Sequence, residues 1–117
     1  MRKQVLALVL GFMTMASFAQ KKELKTAEKA LKSQDYATAL EAINSAKALN
    51  ADTDSKLSTK FYFLKGQTFV GKKDYKVAAK AFTKLLDIEK ETNKFKYTKK
   101  AGAELNRLIS EVSNRAI

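Results

Sequence analysis

Two short blocks of this sequence read alike without a gap. Gln34-Asp35-Tyr36-Ala37-Thr38-Ala39-Leu40 is followed by Ile43 and Ala46, and Lys73-Asp74-Tyr75-Lys76-Val77-Ala78-Ala79 by Phe82 and Leu85. Each opens on Asp-Tyr, places a small residue three positions after the Tyr, a bulky one four later and an apolar one three beyond that. Intervals of three and four stack side chains on one stripe of a helix that turns every 3.6 residues. Aspartate is a strong helix N-cap, because its carboxylate accepts from the otherwise unpaired amides of the first turn. The blocks predict two equivalent helices, capped by Asp35 and Asp74 at a separation of 39 residues. A unit repeated at such a period cannot bury its apolar face alone and has to stack on its copy.

The same spacing runs along the rest of the chain. Leu24, Ala27 and Leu31 form a stripe with Ala30 beside it. Leu57, Phe61 and Leu64 form another, with Tyr62, Gly66 and Phe69 on an adjoining face. Ala101, Leu105, Leu108, Ile109, Val112 and Ala116 form the last. The stripes change phase at Ser33-Gln34-Asp35, at Asn50 to Ser55, at Gly71 to Asp74 and at Thr92-Asn93-Lys94, where capping oxygens are available. No segment alternates as a strand would, there is no Pro and only 4 Gly, and 45% of residues are hydrophobic against 30% charged. These features predict an all-α domain of about five helices.

The amino terminus carries a different signal. Arg2 and Lys3 precede an apolar run from Val5 to Phe18, and Ser17 and Ala19 are small residues at the third and first places before Gln20-Lys21-Lys22. This is the composition of a secretory signal peptide, with cleavage expected after Ala19. The apolar run is shorter than the roughly 20 residues of a bilayer span. Cleavage would leave 98 residues without a membrane span and lower the formal net charge from +11 to +9. Periplasm, outer-membrane surface and medium are all compatible destinations.

The paired blocks resemble the tetratricopeptide repeat, a helical hairpin of about 34 residues that stacks into a right-handed solenoid. The small-aromatic pair of the family's first helix is matched by Gly66 and Phe69, and its preceding large aromatic by Tyr62. In the first unit Glu23, Ala27 and Ala30 hold those places, a weaker match. The resemblance implies repeat 1 at about 22–51, repeat 2 at about 58–90 and the first helix of a third unit at about 96–117, where Ala116 is the candidate small residue. The repeat-defining positions are Ala27, Asp35, Tyr36, Ala39, Ile43, Ala46, Tyr62, Gly66, Phe69, Asp74, Tyr75, Ala78, Phe82 and Leu85. The sequence departs from the family in its longer period and in lacking the closing proline, with Ala51 and Lys90 in its place. The whole is similar to secreted bacterial proteins carrying such repeats, several of them longer, so it is a complete small array or the amino-terminal portion of a larger one.

Composition argues against an enzyme. With neither His nor Cys there is no imidazole base, thiol nucleophile or Cys/His zinc site. Asp87, Glu89 and Glu91 alternate at an interval that does not converge on a helix. Asp52 and Asp54 lack the further ligands, central Gly and final Glu of a calcium loop and read as caps. Gly66 and Gly71 are not followed by the Lys-Ser/Thr of a phosphate loop. No cofactor or metal is expected.

Binding is the remaining class. The resemblance implies a groove lined by first helices and turns Leu24, Glu28, Lys32, Phe63, Gln67 and Val70 toward it, for an unidentified protein or peptide of the cell envelope. The clamp with which some family members hold a terminal carboxylate is not matched at Leu24, Glu28 and Leu64. A second reading is a polyanion-binding patch at Lys94, Lys96, Lys99 and Lys100, interleaved with Phe95 and Tyr97. Nucleic acid is a poor candidate for it, since 19 of the 21 basic residues after Ala19 are Lys and export leaves cytoplasmic nucleic acid behind. The amphipathic last helix serves as a cap or awaits a partner, self-association included.

Overall fold

A computed structural model describes the backbone of residues 2–115 and the side chains of residues 17–111. It consists of α1 (Arg2–Lys32), α2 (Tyr36–Ala48), α3 (Ser58–Gly71), α4 (Tyr75–Thr92) and α5 (Thr98–Arg115), with no strand among the described residues. Each helix packs on the next along the chain, and α1 also touches α3. The expected third-unit residue Ala116, and the side chain of Val112, lie outside the described residues.

The two Asp-Tyr blocks form the same turn. At the first, the Asp35 amide donates to Ala30 O at 2.8 Å and the Gln34 amide to Leu31 O at 3.0 Å. At the second, Asp74 donates to Phe69 O at 2.9 Å and Lys73 to Val70 O at 3.0 Å. This pair of bonds closes a helix by a Schellman motif, with a left-handed residue between. Gln34 (φ 58°) and Lys73 (φ 63°) supply it, and the aspartates that follow share φ/ψ of −90°/79° and −94°/77°. Each aspartate then caps the next helix. Asp35 Oδ1 accepts from the Thr38 amide at 3.2 Å and Asp74 Oδ1 from Val77 at 3.4 Å.

Tyrosine follows because the turn aims the next side chain at the succeeding helix. The Tyr36 ring lies so close to Gly71, at the end of α3, that an added Cβ there would sit 2.1–2.3 Å from ring carbons. Tyr75 lies beside Leu108 and Ile109 of α5. Inside the second hairpin, Gly66 lets α3 and α4 close onto the Phe82 ring, which would be 2.5 Å from an added Cβ. Two cores result. Leu24, Ala27, Ile43, Ala46, Phe61 and Leu64 belong to one, and Ala78, Phe82, Leu85, Ala101 and Leu108 to the other. Tyr62 packs against both.

α1 runs without interruption through the Ala19–Gln20 junction, since no Gly or Pro occurs between Phe12 and Lys32. Phe18 is exposed, whereas Gln20 is buried and its side-chain amide donates to Leu49 O. Among the described residues no helix is long and apolar enough to cross a membrane.

Gly66→Ala should lower stability by about 1–2 kcal/mol, because overpacking against the buried Phe82 ring exceeds the helix-propensity gain. Combining it with Phe82→Leu should recover part of the loss in urea denaturation, and simple additivity would refute the contact. Hydrogen bonds from the Thr38 hydroxyl and amide hold the Asp35 carboxyl below its ordinary range. A depressed carboxylate stabilises fully above the unfolded value near 4 and loses that contribution as pH falls through the folded value. Wild-type Tm should therefore drop more than that of Asp35→Asn between about pH 5 and pH 3.

Candidate functional site

One face gathers side chains from three helices that are far apart in sequence. Glu28, Leu31 and Lys32 come from α1, Lys60, Phe63, Leu64, Gln67 and Val70 from α3, and Lys100, Glu104 and Arg107 from α5, with Tyr36 and Tyr97 at the margins. They line an open groove of about 490 Å³. Five of the residues expected in a groove (Glu28, Lys32, Phe63, Gln67 and Val70) meet here. Leu24 does not. It is 1% exposed and packs in the first core with Ala27, Ile43 and Phe61, because the stripe it shares with Ala27 and Leu31 turns α1 onto α2 and α3.

The floor is aromatic and already assembled. Phe63 stacks on Tyr97, with ring centroids 4.8 Å apart and planes at 24°, and meets Phe82 edge-on at 6.2 Å. Phe63 is thus half-buried and forms a platform rather than a free anchor, a role the sequence reading did not include. Lys96 Nζ lies 5.4 Å from the Tyr97 ring centroid, within cation–π range.

Charges in the groove divide unequally. Glu28 Oε2 is 3.3 Å from Lys60 Nζ, and Glu104 Oε2 is 2.6 Å from Arg107 Nη2. The Glu104 hydrogen bond and charge hold the Arg107 guanidinium above its usual range. Both acids are thereby engaged, while Lys32 and Lys100 have no acidic side chain within 4.0 Å among the described residues. The groove presents two uncompensated cations beside an aromatic floor. Away from the groove, burial pushes the Tyr62 phenol up and the Lys65 ammonium down. The Asp52 charge raises both further or back, and Lys47 adds to the depression at Lys65.

The lysines of 94–100 are all exposed, as is Phe95; Lys100 also lines the groove and Lys96 lies over the Tyr97 ring. The organiser of this segment is Glu89, one of three carboxylates whose alternation along α4 does not converge. It is 1% exposed. Its oxygens accept from the Lys96 amide at 2.9 Å, the Tyr97 amide at 2.8 Å and the Thr98 hydroxyl at 2.8 Å. A single side chain of α4 therefore caps α5 and sets Tyr97 under Phe63. The only signal for this in the sequence was an acidic residue within reach of a helix start, which the long α4 made look like solvent-facing spacing.

Among the described residues no group of three acidic side chains could hold a metal ion. Comparison with protein-family models, with curated proteins and with solved structures found no match to this chain.

Glu89→Ala should cost about 2–3 kcal/mol, since three partly buried hydrogen bonds at the start of α5 lose their buried acceptor. Glu89→Gln, which keeps one acceptor oxygen, should cost less. Equal unfolding midpoints for wild type and Glu89→Ala in urea would show that α5 is held by packing alone.

Proposed function

We propose that this chain is an exported, non-enzymatic scaffold of tetratricopeptide-like hairpins, whose first-helix groove holds an acidic peptide segment of a protein partner in the cell envelope. The observation that carries the reading is the convergence of α1, α3 and α5 on a groove whose acids are neutralised internally while Lys32 and Lys100 are not. Support for stacked repeats comes from the two superimposable Asp-Tyr turns and the parallel placement of Tyr36 and Tyr75. Export rests on the leader composition of residues 1–19.

Charge selects the partner's sign and the Phe63–Tyr97 platform gives it something to lie on. Exposed pairs contribute up to about 1 kcal/mol each, so two lysines and a stacking contact suit a micromolar, reversible interaction better than a permanent one. The polyanion reading draws on Lys94 to Lys100, and what supports the groove instead is that Lys100 lines it together with residues of α1 and α3.

A labelled flexible peptide of Glu, Gly and Ser with one central Tyr tests this reading. It should bind the wild type with an affinity that falls as salt rises. Lys32→Glu combined with Lys100→Glu should weaken it roughly tenfold or more. Equal binding by the double variant, or by a peptide with Lys in place of Glu, would reject the assignment.

A further inference from the structure

α3 and α5 begin in the same way. The Leu57 amide donates to the Asp54 carboxylate at 3.1 Å as the Tyr97 amide does to Glu89, and Phe61 N and Ala101 N donate to Leu57 O and Tyr97 O, each at 2.8 Å. Aligned on that start, Phe61 corresponds to Ala101 and Thr68 to Leu108, and all four are buried. The same register sets Tyr62 against Gly102, Gly66 against Asn106 and Phe69 against Ile109. In α3 this second stripe is covered by α4, whose Phe82 ring touches Gly66. In α5 it is bare. Asn106 is exposed, Ile109 is 61% exposed, and a Cβ added to Gly102 would meet nothing within 4 Å.

The bare stripe opens toward α4 into a cleft of about 690 Å³, with Tyr75, Ala79, Leu108 and Ile109 giving it apolar walls. Its α4 rim carries Lys76, Lys80 and Lys84 at four-residue spacing, all exposed, with Asp87 as the one acid. The shape wanted is a helix, because a helix occupies the equivalent stripe of α3. The charge wanted is negative along one edge. We propose that this cleft is the docking seat for an amphipathic helix of another protein, apolar on one stripe and acidic along the edge that meets Lys76, Lys80 and Lys84. A second copy fits less well, since each chain carries +11 and brings the same lysine rim. The proposal uses a surface distinct from the groove of the preceding section and does not depend on it.

The probe is a labelled 18-residue designed helix with a Leu/Ala stripe flanked by Glu, compared with one carrying Lys at the flanking positions, each titrated against the full chain. The Glu-flanked helix should bind and the Lys-flanked helix should bind at least roughly tenfold more weakly. Ile109→Glu, at a position 61% exposed, should reduce affinity by roughly tenfold or more, as should Lys80→Glu paired with Lys84→Glu. Lys32→Glu with Lys100→Glu should leave it unchanged. Equal binding of both helices, or undiminished binding by Ile109→Glu with native circular dichroism, would overturn the assignment. A concentration-dependent dimer abolished by Ile109→Glu would give the face to a second copy and overturn it equally. If Ile109→Glu fails to fold, the rim variant decides alone.

Discussion

Asp35 and Asp74 each serve two helices at once. Their amides satisfy a carbonyl of the helix that ends, and their carboxylates satisfy an amide of the helix that begins. Helix ends otherwise leave four donors or four acceptors without partners. Completing both within three residues fixes the angle at which one helix returns along the other, and so decides where the next side chain points. That side chain is a tyrosine in both cases, and it reaches the following helix. Packing between consecutive units is a consequence of how the corner is hydrogen-bonded, with apolar burial then stabilising the arrangement.

Around that corner Tyr62 packs against both cores, and the groove rests on Phe63, which stacks on Tyr97 and meets Phe82 edge-on. Groove chemistry and fold stability consequently share residues. Phe63 contributes to both, whereas Lys32, Gln67 and Lys100 project from the frame. Substitutions at the projecting positions test the proposed binding, and those in the aromatic platform report on folding first.

Much of this was legible in the residues. Helical periodicity located all five elements and the Asp-Tyr blocks located the corners, whereas Gly66 was matched only as the small residue paired with Phe69, and the ring it admits belongs to Phe82. The misplacements have a common cause. Leu24 and Glu89 each sit on helices whose faces contact more than one neighbour, and spacing along one helix says which residues share a face without saying what that face meets. α1 carries Leu or Ala on two adjoining sides, so the direction of Leu24 depended on where α3 lay. Glu89 stood out from neither Asp87 nor Glu91 because its partners, the amides of Lys96 and Tyr97, meet it only once α5 has folded back. The tetratricopeptide likeness drew attention to α1 and α3 as groove walls and gave no hint of the contribution from Glu104 and Arg107 in α5.

Among the described residues the four in the left-handed region, Gln34, Asn50, Lys73 and Asn93, include no glycine. An L-residue in that conformation carries a penalty of about 1–2 kcal/mol, least for asparagine. Every corner is therefore a preloaded spring held closed by the hydrogen bonds on either side. Because these residues are exposed and line neither the groove nor the α4–α5 cleft themselves, their identity acts as a thermal dial. Melting behaviour could drift over a wide range between related chains, or be reset by an engineer, while both recognition surfaces stayed as they are.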